Sequence, residues 1–99
     1  VSTMSLAFEW SSSKASANVR KHGVSVEKAR TVFEDDEASL IRDPAHSVSE
    51  ERFVLLGLSA ALRILVVIHC ERTGGDVIRI ISAPKANRSE RSTYASRRT

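Results

Sequence analysis

The chain reads as an α+β domain, and three observations lead there. Apolar residues recur at helical spacing until about residue 33 and then change to strand-like patterns. The later strands are joined by short, turn-rich links. Capping residues bracket each helical stretch. The expected order is β-α-α-β-β-β-β-α. Consecutive strands with short links imply an antiparallel meander, with two N-terminal helices on one face and a short C-terminal helix. A length of 99 residues suits one core, so residues 1–99 form one domain, with 1–4 as a loose leader and 95–99 as a frayed tail.

Each element has a local reason. Leu6-Ala7-Phe8-Glu9-Trp10 is a short first strand, and Ser11, Ser12 and Ser13 then offer N-caps. The first helix runs to about His22, with Ala15, Val19 and His22 spaced to share one face. Arg20, Lys21 and His22 suit the negative end of its dipole, and Gly23 suits its C′ position. Ser25 caps a second helix of about nine residues, whose apolar stripe is Val26, Ala29, Val32 and Phe33. The acidic run Glu34–Glu37 is unfavourable at a helix C-terminus and reads as a solvated loop. Strands follow at Ala38–Arg42, Arg52–Leu58, Leu62–Glu71 and Val77–Ala83, with a polar loop over 44–50. An Ala-rich turn and Thr73-Gly74-Gly75-Asp76 join the last three. Asn87-Arg88-Ser89-Glu90 resembles a capping box that opens the final helix, and Arg97-Arg98-Thr99 should fray.

Composition narrows the function classes. The net charge of +3 and pI near 9.5 favour a polyanion or an acidic partner without choosing between them. A single cysteine, Cys70, excludes an internal disulfide, reads as a buried structural thiol, and fits a reducing cytoplasm. No Cys/His spacing suggests a metal, and no cofactor motif is present. The apolar run from Phe53 to Cys70 is interrupted by Gly57–Ala61 and by Arg63, so it reads as two buried strands rather than a membrane span. The N-terminus lacks a signal-peptide pattern.

The chemistry-bearing residues are cations placed in strands. Arg79 sits inside Arg79-Ile80-Ile81-Ser82-Ala83-Pro84-Lys85-Ala86, where an unpaired guanidinium is unfavourable unless a carboxylate or phosphate meets it. Strand Ile64–Glu71 is apolar on both faces until His69, which implies a central, doubly covered strand ending in His69, Glu71 and Arg72. A two-residue hairpin turn would put Arg79 and His69 on opposite faces; a three-residue turn would put them together. Were both to share a face with Arg52, the sheet would hold two guanidiniums and an imidazole. RNA cleavage by an internal 2′-hydroxyl needs alignment, charge stabilisation and proton transfer, which such a set supplies without metal. Each residue also has a structural alternative. Arg79 can pair with an acid, His69 can be a packed side chain, and Arg52 can belong to a surface ion pair.

Taken together, these segments resemble the BrnT-type toxins. Phe8-Glu9-Trp10 with Lys14, then Asn18-Val19-Arg20-Lys21-His22-Gly23-Val24-Ser25, is similar to the opening of that family. Glu51-Arg52-Phe53, Gly57-Leu58-Ser59, Val66-Val67-Ile68-His69 with Glu71-Arg72, and Ile78-Arg79-Ile80-Ile81-Ser82-Ala83 match its later blocks in order. The resemblance implies a RelE-like ribonuclease fold and the toxin of a bacterial type II toxin–antitoxin pair. Such a toxin cuts RNA and inhibits translation. The implied partner is a BrnA-type ribbon-helix-helix antitoxin, in a heterotetramer that meets operator DNA through the antitoxin. On this reading Arg52 and Arg79 bind the phosphate, and His69 and Glu71 are candidates for proton transfer. Lys21, His22, Arg72, Lys85 and Arg88 hold RNA. One position departs: the family usually continues Ile-Ser-Ala with arginine, and this chain has Pro84. The alternative is therefore an attenuated homologue that mainly binds antitoxin and tunes repression.

Overall fold

The computed structural model describes residues 6–43 and 51–98, so the leader and the polar loop over 44–50 lie outside the described residues. The elements are β1 (Ala7–Glu9), α1 (Ser12–His22), α2 (Val26–Thr31), β2 (Ser39–Asp43), β3 (Arg52–Leu58), β4 (Ile64–Arg72), β5 (Val77–Ser82) and α3 (Arg88–Arg98). The expected order is the observed one. The second helix spans nine residues in all, but its last turn, Val32–Glu34, tightens to a 3-10 helix. The C-terminal helix is longer than expected, continuing to Arg98 where a frayed tail was anticipated.

Helix termini follow the capping residues. The Ser11 and Ser25 hydroxyls accept from the N–H groups of Lys14 and Lys28 at 3.3 and 3.2 Å. Gly23 ends α1 in the left-handed region (φ 69°), donating its N–H to Val19. Asn87 and Glu90 form a reciprocal capping box, each backbone N–H reaching the other's side chain at 2.8 Å.

The sheet has five strands in the order β1-β5-β4-β3-β2. Strands β2 to β5 form the expected antiparallel meander, but β1 pairs with β5 in parallel, so the sheet is mixed. The first and last strands meet without a turn between them, and a pairing of that range leaves no local mark in sequence. Two cores flank the sheet. Helices α1 and α2 cover one face, where Val26, Ala29 and Val32 pack on Leu55, Leu65, Val67 and Ile80. On the other face Ala86 and Tyr94 pack on Leu56 and Val66. Strand β4 is therefore covered on both sides, as its unbroken apolar run predicts. Among the described residues no helix is long and apolar enough to cross a membrane.

Two details hold the helical layer to the sheet. Asn18, not Val19, is the buried residue of α1, and Val19 is 49% exposed. The Asn18 side chain donates to the carbonyls of Val24 and Ala83 and accepts from the Ala83 N–H. Asp35, in the acidic run, is not merely solvated: its Oδ2 accepts from the Tyr94 hydroxyl at 2.6 Å and the Leu58 N–H at 2.8 Å.

Candidate functional site

Paired residues point to the same side of a sheet, and neighbours along a strand alternate, so register decides which side chains can meet. Glu9 pairs with Arg79, Arg79 with Cys70, Cys70 with Arg52, and Arg52 with Asp43. The sheet thus carries one continuous row, Asp43–Arg52–Cys70–Arg79–Glu9, on the α3 face. Helix α3 packs at the other end of that face, against Leu56 and Val66. Leu56 stands four residues along β3 from Arg52, about 13 Å at strand rise.

Within the row, Arg52 and Arg79 stand two strands apart, about 10 Å between backbones. Two guanidiniums on side chains of that length can converge on one phosphate above Cys70. Arg79 is half-buried, and no hydrogen bond or ion pair joins its side chain to any described residue. Arg72 shares the face, since it pairs with Val77 one row away. Its Nε lies 3.2 Å from Glu9 Oε1, both side chains being partly exposed. The arrangement places three arginines beside two carboxylates, Glu9 and Asp43, at the ends of the row. Cys70 is buried and forms no disulfide among the described residues, as expected of a structural thiol.

The expectation that His69 and Glu71 act beside these arginines is not met. Arg72 pairs with Val77 across four intervening residues, an even-numbered link with the parity of a two-residue turn. Arg79 therefore pairs with Cys70, and His69 and Glu71, the neighbours of Cys70 along β4, point to the opposite face. His69 is fully buried, packed edge-on to Phe33 at 4.9 Å and stacked with Phe53 at 5.8 Å. Burial lowers the pKa of its imidazole; a contact from Nδ1 to the Val67 carbonyl opposes this to a lesser degree. A neutral, enclosed ring on the far side of the sheet cannot exchange a proton with a phosphate held by Arg52 and Arg79.

The remaining basic candidates fall elsewhere. Lys85 bridges to Leu65, a member of the α1/α2-face core, and its Nζ lies 3.7 Å from where a Cβ on Gly23 would stand. Lys85 therefore lies at the C-terminal end of α1. Lys21 and His22, from that same last turn, line a hollow with Lys14, Asn18, Ile81 and Ser82 beside β5. Arg88 is exposed at the start of α3. Pro84 donates no hydrogen bond, and its carbonyl accepts from Val66 N–H at 2.9 Å. The Leu65–Lys85 bridge puts Pro84, one residue earlier, on the α3 face with the arginine row.

Sequence reasoning missed Glu9, Asp43 and Asn18. Only register could place the two acids in line with the arginines. Asn18 did leave a trace, because a polar residue among the apolar positions of a helix needs a buried partner.

The sequence model for the family described as "Ribonuclease toxin, BrnT, of type II toxin-antitoxin system" matches residues 10–90. The structure is similar to the 1.1 Å crystal structure of the Brucella abortus ribonuclease toxin BrnT, with a TM-score of 0.64 and 21% identity. That match covers 84% of this chain and 99% of the Brucella chain, and at such identity it speaks for the fold. No curated protein matches the chain. With its sequence matched over most of its length, the chain belongs to the BrnT family of ribonuclease toxins of type II toxin–antitoxin systems.

Proposed function

We propose that the chain is a metal-independent endoribonuclease that cuts RNA, inhibits translation in the bacterial cytoplasm, and is neutralised by a ribbon-helix-helix antitoxin. The observation that carries this reading is the cross-sheet row with Arg52 and Arg79 on the part of the sheet away from α3. In the proposed reaction the two guanidiniums clamp the scissile phosphate and stabilise the charge that develops as the 2′-hydroxyl attacks. Glu9, beside Arg79 and held by Arg72, accepts the hydroxyl proton, the part earlier given to His69 and Glu71. As it does so, the new bond from the 2′-oxygen to phosphorus forms and the bond to the 5′-oxygen breaks; the departing 5′-oxygen takes a proton from water, and a 2′,3′-cyclic phosphate remains. Lys21, Lys85 and Arg88 steer the flanking RNA by charge, and His22 offers it a hydrogen-bonding ring. The test is RNA cleavage and translation with the purified protein. Intact RNA and unimpaired translation at high protein concentration would remove the enzymatic reading.

A second reading is favoured by Pro84, which lies on the arginine face where the family usually has arginine. Proline supplies no guanidinium, and its neighbour Lys85 points to the other side of the sheet. On this reading the chain is an attenuated toxin that mainly binds antitoxin and tunes repression. Growth on induced expression separates the two: Pro84→Arg raises toxicity strongly if the chain is attenuated and little if it is already competent.

A further inference from the structure

The face opposite the arginine row holds a cleft of about 380 Å³. Its walls are apolar, formed by Phe33, Leu40, Leu55 and Ile78. Asp36 and Glu71 supply carboxylates at its rim, and no lysine or arginine lines it among the described residues. This is a local reversal of sign on a chain of net charge +3. Asp35 also borders the cleft, but Tyr94 and Leu58 engage its Oδ2. Asp36 and Glu71 make no ion pair with any described residue.

His69 lies at the cleft's inner wall, and its chemistry selects the ligand. Its Nδ1 stands 3.3 Å from the Val67 carbonyl oxygen, which can only accept. That contact assigns the ring proton to Nδ1 and leaves Nε2 as a bare acceptor. Nε2 is buried and has no hydrogen-bond partner among the described residues. A buried polar atom left so is uncommon and calls for a donor. Beside the cleft, β2 is the outer strand of the sheet among the described residues, and Leu40 on its cleft-facing side is 53% exposed. Such an edge can take up another backbone.

We propose that this cleft docks a basic amphipathic peptide segment of the antitoxin. A large side chain bearing an N–H or O–H enters between Phe33 and Leu40 and donates to His69 Nε2, while flanking lysines or arginines meet Asp36 and Glu71. Nucleic acid is excluded by the sign of the rim. The choice of antitoxin as the partner rests on the toxin reading above. The cleft itself does not depend on RNA cleavage, because it lies on the other side of the sheet from Arg52 and Arg79.

The first probe is the peptide Ac-KRWKR-NH2, titrated into the full chain by calorimetry with NMR of the His69 ring. Saturable binding is expected, with a shift of the His69 ring signals. Affinity should fall at least tenfold in Asp36→Lys/Glu71→Lys or when alanine replaces the peptide's tryptophan, and Ac-EEWEE-NH2 should not bind. Binding that ignores both charge reversals, or no binding at all, overturns the proposal. A shift of the His69 signals on deleting residues 1–5, without peptide, would make the leader the occupant and also overturn it. The second probe is co-purification with the antitoxin from the adjacent reading frame, using the doubly reversed variant and Leu40→Asp. Loss of the antitoxin, with RNA cleavage and thermal unfolding kept, is the expected result; retention of the antitoxin contradicts it. Absence of cleavage in the unsubstituted chain would sink the ribonuclease reading alone and leave this binding result standing.

Discussion

Replacing Asn18 with alanine should loosen the joint between α1 and the end of β5. The side chain donates to Val24 O at 2.9 Å and Ala83 O at 3.1 Å, and accepts from Ala83 N at 2.9 Å. Both backbone segments are buried. Leaving the Ala83 N–H without a partner costs about 1–3 kcal/mol, and each lost carbonyl bond about 0.5–1.5 kcal/mol. The sum runs from about 2 to 6 kcal/mol; water admitted by the shorter side chain re-satisfies part of it, so about 3 kcal/mol is expected. In a domain of this size that lowers Tm by about 12–24 °C. Thermal unfolding followed by circular dichroism reads the change, with Val19→Ala, one residue away and half exposed, as the control that stays near the parent. A drop below about 4 °C for Asn18→Ala would refute the reasoning, since it would leave about 1 kcal/mol for all three bonds.

Gly57→Ala should destabilise, because an added Cβ would stand 2.8 Å from Ala38 Cβ and 2.9 Å from Val32 Cγ1. Overpacking of this kind costs about 1–3 kcal/mol, and an unchanged denaturant midpoint would show that β3 can shift away. His69 should make stability fall in mild acid. Burial lowers its folded pKa, so as pH drops below the unfolded value of about 6.5 the unfolded chain takes up the proton first and the native state loses stability. Above that value both states are neutral and the residue adds no slope. His69→Phe should lose less stability than the parent between pH 7.5 and 5.5, both set for the assay as about one unit either side of the unfolded pKa; equal losses would mean the ring is not held neutral. If the chain cleaves RNA, Glu9→Gln should slow the chemical step by about 10² or more while Tm stays within a few degrees, because its ion pair with Arg72 is partly exposed. An unchanged rate would remove Glu9 from proton transfer.

What the sequence made legible was mostly local. Ser11, Ser25, Gly23 and the Asn87–Glu90 box each announce a helix end through side-chain chemistry within a few residues, and each is found where expected. The double covering of β4 was legible because a strand buried on both faces has no polar alternation to display. What failed was whatever depended on long-range register. Nothing near Phe8 reveals that β1 joins β5 in parallel, and nothing near Gly74 fixes whether Arg79 meets His69 or Cys70. One step of register exchanges every side chain between faces, so the sequence left open which side chains Arg79 meets; the pairing puts Arg52 and Arg79 on one face and His69 and Glu71 on the other. Glu9, adjacent to a recognised motif residue, gained meaning only once its pairing with Arg79 was seen.

The central claim is that RNA chemistry belongs to the arginine row and not to the β4 residues on the opposite face. Single-turnover cleavage of RNA by Arg79→Ala and Glu71→Gln, measured beside the parent, tests it most directly. Removing a charge-assisted clamp worth about 1.5–3 kcal/mol should slow cleavage by roughly 10- to 150-fold in Arg79→Ala. Glu71→Gln, on the far face, should stay within about twofold of the parent. Cleavage that survives Arg79→Ala and collapses in Glu71→Gln would contradict the account and return the active site to the other side of the sheet.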